Sequence, residues 1–217
     1  MTPATRLRSV NVGLPRAFSR DGRELTTGIF KEPVAARVAV RRLGLEGDGQ
    51  ADLVDHGGPD KAVYAYSFAN TLHWRAALSR PELDAGSFGE NLTLDDLPDS
   101  VAALGDVLRI GSALLQITQP RQPCVKLALK LGLPQFPKQF TASGRVGFYL
   151  RVLEEGAVAR GDAVAWVERE AEPLPVEALN AAVLVRDDAA DVLRRALASP
   201  ALSGAWRQRI ERRLARG

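Results

Sequence analysis

The sequence predicts a mainly β fold, a barrel or sandwich with inserted helices, followed by a small helical appendage. Short runs with β-like alternation, separated by Gly, Pro or Asp, are scattered through the first 170 residues. These runs do not alternate regularly with helical segments, which argues against a doubly wound parallel sheet. After Pro173 and Pro175 the pattern changes to three short amphipathic helices.

Alternating apolar residues predict seven strands. These are residues 9–12, 36–42, 61–66, 106–110, 114–118, 146–152 and 162–167. The stretch DVLRIGSALLQIT predicts a hairpin with its turn at Gly111 and Ser112. The stretch SFGENLTL predicts a further strand directly after Asn91.

Helical spacing predicts helices at 67–78 and at 124–132, the second ending at Gly132 as a C-cap. In the tail, Asp187 or Asp188 and Ser203 are expected to cap helices. We therefore predict a β-barrel-type domain over 1–170 and a three-helix domain over 171–217. Because so short a helical segment is marginal alone, we expect it to dock on the larger domain or on a partner.

Composition is that of an ordinary globular protein, with 46% hydrophobic and 25% charged residues in 217. A single cysteine excludes an internal disulfide bond. The first residues lack the apolar segment of a signal peptide, and no stretch is long and apolar enough to span a membrane. We expect a cytoplasmic protein without membrane association.

Positive charge is concentrated at the C-terminal end. The formal net charge is +3, but residues 200–217 alone carry +4, which leaves −1 for the rest of the chain. No aromatic residues are interleaved with these arginines, so we expect a solvated helix face in preference to a nucleic-acid surface.

The single cysteine, Cys124, lies in the stretch TQPRQPCVKLALKLG, where a helix is predicted to begin. A helix N-terminus and the nearby Arg121 and Lys126 would both lower the pKa of a thiol. The resulting thiolate is either a nucleophile or a ligand for a soft metal. A cysteine that only fills space in the core is the simpler alternative.

Other residues offer weaker signals. One cysteine and two histidines cannot form the usual zinc set without carboxylates. A Cys–His hydrolase would use His56, before a Gly-Gly turn, or His73, on a predicted helix.

The acid-rich stretch LEGDGQADLVDHGG is only a weak metal signal, because it lacks EF-hand spacing. Asn91 beside Gly89 and Glu90 would bind a heterocycle edge or simply form a turn.

Three stretches taken in order, TTGIFKEPVAARVAVRRLGLEGDGQADLVDHGGPDKAVYAY, FGENLTL and QPRQPCVKL, closely resemble the MOSC-domain family. This family is named for the C-terminal domain of molybdenum-cofactor sulfurases. Within it, the chain resembles the YiiM-like subgroup, whose tail of three short helices matches residues 173–216. The resemblance implies a MOSC-type β-barrel, a pterin-bound molybdenum cofactor, and Cys124 as catalytic residue and molybdenum ligand.

Membership in this family also implies binding roles for other residues. Lys31, Asn91 and Arg121 lie in the family-like stretches and are expected to bind the cofactor. His56 and Asp60 are expected to shape the cofactor pocket or the substrate mouth.

Similar proteins reduce N-hydroxylated compounds such as N-hydroxylated purine bases. The chain has no counterpart of a flavin, iron–sulfur or pyridoxal-phosphate domain. Electrons are therefore expected from a separate reductase, and cysteine desulfuration is not implied. A sulfur carrier for metal–sulfur clusters that uses a Cys124 persulfide remains the alternative, and a homodimer remains open. The tail is expected to form the substrate entrance, to meet the electron donor, or only to stabilise the barrel.

Overall fold

The computed structural model describes residues 5–20, 22–51, 57–184 and 189–215. The strands within these ranges are β1 (Thr5–Val12), β2 (Arg16–Arg20), β3 (Arg23–Thr27), β4 (Glu32–Val34), β5 (Val38–Arg41), β6 (Gly44–Leu45), β7 (Val63–Ser67), β8 (Leu92–Leu94), β9 (Val107–Ile110), β10 (Ala113–Pro120), β11 (Phe148–Glu154), β12 (Gly156–Val158) and β13 (Ala163–Glu168). The α-helices are α1 (Phe68–Leu78), α2 (Val125–Leu131), α3 (Phe136–Ala142), α4 (Val176–Leu184), α5 (Ala190–Ala198) and α6 (Gly204–Leu214). None of these helices has the length and apolar character needed to cross a bilayer.

A closed barrel of seven strands forms the centre of the protein. Its strand order is β13-β9-β10-β11-β7-β8-β1, and β1 returns to β13 through the pairs Thr5–Val164 and Arg6–Ala163. All neighbours in the barrel are antiparallel except β7 and β8. Closure pairs both edges of every barrel strand, and it confirms the predicted β-barrel.

Alternation along the strands fills the barrel interior with apolar side chains. In β11, Phe148, Leu150 and Val152 are buried, while the residues between them are partly exposed. The alternation in β11 is the period of two that the sequence pattern had indicated. Leu7 and Val10 of β1 join the same core.

All seven predicted strands are present, with ends shifted by a few residues. The predicted hairpin is also confirmed, since Ile110 pairs with Ala113 around a turn in which Gly111 has a φ of 57°. The hairpin of β2 and β3 was missed because most of β2 is exposed, so it carries no hydrophobic alternation.

Helix α2 begins directly after Cys124 and ends at Gly132, whose left-handed φ of 69° fits the predicted C-cap. Helix α3, which was not predicted, starts with Pro137 in its first turn. Together with α1, these helices bury an aromatic cluster against the barrel; it contains Tyr64, Tyr66, Trp74, Phe88, Phe136 and Phe140. One member of this cluster, Tyr64, also lines a cavity that includes Cys124.

The three tail helices pack around their own apolar cluster, which includes Leu179, Leu193 and Trp206. Ser203 caps α6, as predicted, by accepting a hydrogen bond from the Trp206 amide. The expected caps Asp187 and Asp188 lie outside the described residues. Backbone hydrogen bonds from Val176 to Ala102 (2.8 Å) and from Ser203 to Thr118 (3.3 Å) fix the tail to the barrel domain.

Asp99 joins the loop after β8 to the elements around it. Its carboxylate accepts hydrogen bonds from the amides of Val146 (3.0 Å) and Gly147 (2.6 Å) and from Nδ2 of Asn70 (2.6 Å). Its carbonyl accepts a bond from the amide of Glu177 in α4. Burial raises the pKa of Asp99 from 3.8 to about 6, although the three donors oppose the rise.

This raised pKa predicts a pH-dependent stability. Between about pH 4 and pH 6 the folded protein keeps the Asp99 proton after the unfolded chain has released it, so the free energy of unfolding falls as pH rises. Over this pH range the shift changes the free energy of unfolding by about 3 kcal/mol in total. Asp99→Asn should flatten this slope in urea unfolding between pH 4 and pH 7. The exposed neighbour Asp96 gives the control, Asp96→Asn; equal slopes in all three proteins would contradict the role of Asp99.

Candidate functional site

A cavity lies at the end of the barrel where β10 leads towards Cys124. It is narrow, with a volume of about 90 Å³. Its lining includes Cys124 and four cationic residues, Lys31, Lys61, Arg121 and Lys126. Among the residues that the structure describes, no carboxylate lines this cavity. The opening therefore presents a thiol and concentrated positive charge, which favours an anionic ligand.

Cys124 owes its position to β10 and to the turn that follows. The amide of Arg121 still donates to Gly147 (3.0 Å), after which the chain leaves the ladder. Cys124 is half-buried in an extended conformation, and its carbonyl accepts the Leu127 amide in the first turn of α2. The predicted placement of Cys124 at a helix start is confirmed.

Arg121 is buried, with 6% of its surface exposed. Its guanidinium carbon lies 4.7 Å from the ring centroid of Tyr64 and 5.6 Å from that of Phe140. Burial lowers the pKa of Arg121, but Tyr64, Tyr149 and Cys124 outweigh it, so the pKa is raised overall. No described carboxylate forms an ion pair with this guanidinium, and an anionic ligand would find it already desolvated.

Lys31 and Asn91 also line the cavity, and both contact the carboxylate of Asp48. Lys31 forms a buried ion pair with it, and Nδ2 of Asn91 donates to it at 2.9 Å. Oδ1 of Asn91 accepts the Tyr64 amide at 3.1 Å. Burial lowers the pKa of Lys31, and Asp48 opposes that shift. The sequence did not reveal Asp48 as a partner, because its acid-rich loop indicated only a weak metal site. The described residues contain no cluster of metal ligands.

Glu90 stabilises the loop before β8 through hydrogen bonds. Its carboxylate accepts hydrogen bonds from the amides of Gly86 (2.7 Å) and Phe88 (3.1 Å) and from the hydroxyl of Thr93 (2.9 Å). Burial raises the pKa of Glu90. Glu90 therefore positions Asn91 by shaping the loop.

A second opening also includes Cys124 and lies between the end of β10 and α6. This cleft has a volume of about 430 Å³ and includes Arg209 and Arg212 in its lining. Lys61, Cys124 and Tyr149 line both the cavity and the cleft. Tyr149 was missed because only its pairing across the sheet brings it beside the cysteine.

The remaining candidates lie elsewhere. Asp60 does not line the cavity; its carboxylate accepts two hydrogen bonds from Arg151 (2.7 and 2.9 Å) and one from the amide of Gly204 (3.2 Å). His73 lies on the exposed side of α1, with its ring edge-on to Trp74, and lines neither opening. His56 lies outside the described residues. The Cys–His pairing required for a hydrolase is therefore not observed in the part of the chain that the structure describes.

Comparison with known proteins finds similarity over nearly the whole chain. Residues 52–165 match the MOSC domain, and residues 174–217 match the YiiM-like, 3-alpha helix domain. The chain is 42% identical to the uncharacterized protein YflK of Bacillus subtilis (strain 168), over 92% of this chain and 90% of that protein. The crystal structure of YiiM from Geobacillus stearothermophilus aligns with a TM-score of 0.81 and 38% identity, covering 97% and 99% of the two chains.

A protein of Gibberella moniliformis (strain M3125 / FGSC 7600) named "Reductase" is 34% identical over 151 residues. The matched segment is 68% of this chain but only 27% of that protein. The similarity therefore concerns one part of a longer protein.

The buried pair of Lys31 and Asp48 predicts a large loss of stability when one partner is removed. Asp48→Ala leaves a buried ammonium without its carboxylate and should lower the free energy of unfolding by about 3–5 kcal/mol. Adding Lys31→Met to that variant should recover much of the loss, because the buried charge is then gone. The matched control is Asp95→Ala in the exposed pair with Arg8, expected to cost less than about 1 kcal/mol. Equal costs in denaturant unfolding for Asp48→Ala and Asp95→Ala would contradict this assignment.

Proposed function

The chain belongs to the MOSC-domain family, and from this premise we propose that it binds a molybdenum cofactor and reduces N-hydroxylated compounds, such as N-hydroxylated purine bases. The observation that carries the proposal is the position of Cys124 between a cationic cavity and a second, wider cleft. One opening is available for a cofactor and the other for a substrate. The resemblance of part of the chain to a protein named "Reductase" also supports a reductive activity.

The donor set of the cavity fits the chemistry of such a cofactor. A pterin dithiolene brings two sulfur ligands, so one protein thiolate, that of Cys124, is enough to complete a soft-metal set. The cofactor is also a phosphate ester, and four cations line the cavity, one of which, Lys31, is already paired with Asp48. Because the cavity is narrow, entry of a pterin requires its lining side chains to move apart.

In this proposal Arg121 makes forked contacts with the phosphate and Lys31 acts as a point charge. Asn91 offers its amide to the pterin edge, which requires it to leave Asp48. Asp60 contributes indirectly, by holding the start of α6 beside the cleft. A role for His56 at the mouth of the pocket remains part of the proposal.

The reaction converts R–NH–OH, two electrons and two protons into R–NH₂ and water. When bound, the molybdenum cofactor supplies the two-electron chemistry that breaks the N–O bond. Tyr149 lines both openings beside Cys124, and burial raises the pKa of its phenol, so that oxygen holds its proton at neutral pH. In this proposal the phenol donates a hydrogen bond to the departing oxygen.

We propose that electrons reach the site from a separate reductase. An iron–sulfur cluster needs several cysteines and the chain has one, and no dinucleotide fingerprint is present in its sequence. The donor is therefore proposed as a partner protein that carries its own redox group.

Cys124→Ser tests the metal ligand. Protein made in a host that synthesises the cofactor should contain close to one molybdenum and one pterin per chain, and the variant should lose at least about nine-tenths of the metal, because a hydroxyl is a poor ligand for a soft metal. Molybdenum is measured by mass spectrometry and pterin by fluorescence after oxidation. Thermal unfolding checks the fold, and Ser100→Ala at an exposed position is the control.

Equal molybdenum in Cys124→Ser and in the unaltered protein would contradict the ligand assignment. A Cys124 persulfide on protein that never acquires molybdenum would instead favour the sulfur carrier.

Arg121 gives a separate test of cofactor binding. Arg121→Met keeps an apolar stem among the aromatic rings but removes the charge, and it should weaken cofactor retention by about tenfold or more. Arg121→Lys restores the charge without the fork and should be intermediate. Pterin retained after dialysis is measured on protein shown to be folded by near-UV circular dichroism. Equal retention by all three proteins would rule out an anchoring role for Arg121.

A further inference from the structure

The cleft between the barrel and α6 has features that the cofactor does not use. It shares Cys124 with the cavity, and α6 forms one of its walls through Trp206, Arg209 and Arg212. Its volume of about 430 Å³ lies within the range of small-molecule sites.

Gln119 supplies the first sign of a ligand in this cleft. The residue is 3% exposed, and its Nε2 donates a long hydrogen bond to the carbonyl of Pro120 (3.4 Å). Its Oε1 is buried and has no hydrogen-bond partner among the residues that the structure describes. An unpaired buried acceptor is costly, and a ligand N–H or O–H bound next to Cys124 would satisfy this oxygen once the side chain turns towards the cleft.

The rest of the wall suits a planar heterocycle. Tyr149, which is partly exposed, contributes aromatic surface on which a flat ring can stack. Gln122 adds a second carboxamide, and its Oε1 accepts a hydrogen bond from Arg209. Carboxamides match the donor and acceptor edges of a nucleobase.

Positive charge gives the cleft a feature that a neutral base alone would not use. Lys61, Arg209 and Arg212 line it, and no carboxylate does so among the described residues. Partial burial lowers the pKa of Arg209, and the like charges of Arg212 and Arg213 add to this effect. Clustered arginines repel each other, and a doubly charged phosphate relieves that repulsion through forked hydrogen bonds.

We propose that this cleft binds the substrate as a purine nucleoside 5′-monophosphate, with the base against Gln119 and Cys124 and the phosphate against Arg209 and Arg212. The inference rests on the proposed reductase function and adds the substrate class to it. The neutral free base would occupy only the inner part of the cleft.

Binding can be measured without turnover, using AMP as an unreactive probe in place of the N-hydroxylated nucleotide. Isothermal titration calorimetry of the cofactor-loaded protein in about 0.15 M salt should give an affinity for AMP at least about tenfold higher than for adenine or inorganic phosphate. Arg209→Gln combined with Arg212→Gln should reduce the preference for AMP over adenine by about tenfold or more. Gln119→Leu should instead weaken the binding of AMP and the binding of adenine by similar factors.

The matched control is Lys138→Gln combined with Arg194→Gln, which removes two exposed cations away from the cleft and should leave both affinities unchanged. Equal affinities for AMP and adenine, equal affinities for AMP and phosphate, or unchanged AMP binding after substitution of the two cleft arginines would each overturn the inference.

A different measurement tests the proposed function itself. If that proposal is wrong, cofactor-loaded protein supplied with reduced viologen reduces neither the N-hydroxylated base nor its nucleotide. If it reduces the free base and shows no preference for the nucleotide, the reductase proposal stands and the nucleotide inference is wrong.

Discussion

The antiparallel ladder between β10 and β11 determines where the groups around Cys124 lie. Gln119 pairs with Tyr149 and Pro120 with Phe148, and the Arg121 amide makes the last bond of this run to Gly147. The register shifts between Ile117 and Gln119, so regular alternation ends and the last four residues of β10 are all buried. Because of this irregularity, Gln119 faces the cleft while the following turn carries Arg121 into the cavity.

Buried charge is the main cost of this arrangement. Lys31, Arg121 and Lys130 all lose hydration, and burial lowers the pKa of Lys130 to about 8. Each cation has compensating partners: Asp48 for Lys31, aromatic rings for Arg121, and the carbonyls of Ile29 (3.0 Å) and Gly86 (2.7 Å) for Lys130. A cation that is already desolvated interacts strongly with an anion, so the cost incurred on folding favours anion binding.

Local signals in the sequence were sufficient for much of the fold. A left-handed glycine ends α2 and a serine hydroxyl caps α6, and both signals lie within a few residues of the feature they specify. The site depends more on contacts between distant residues. Gln122 meets Arg209, 87 positions away, and the pairing of Gln119 with Tyr149 depends on a bulge that no alternating pattern reveals. The domain boundaries stay a prediction. The electron donor and the oligomeric state also stay predictions, because they depend on contacts with other molecules.

The two openings at Cys124 are built by different parts of the chain. Loops of the barrel domain supply most of the cavity, whereas α6 supplies four residues of the cleft. The arginines expected to form a solvated face of this helix therefore include two, Arg209 and Arg212, that line a cleft ending at the cysteine. A change in α6 would alter what approaches Cys124 from the cleft without altering the residues proposed to bind the cofactor. Under the proposed function, the barrel domain would therefore supply the chemistry at Cys124, and the tail would select the molecules that reach it through the cleft.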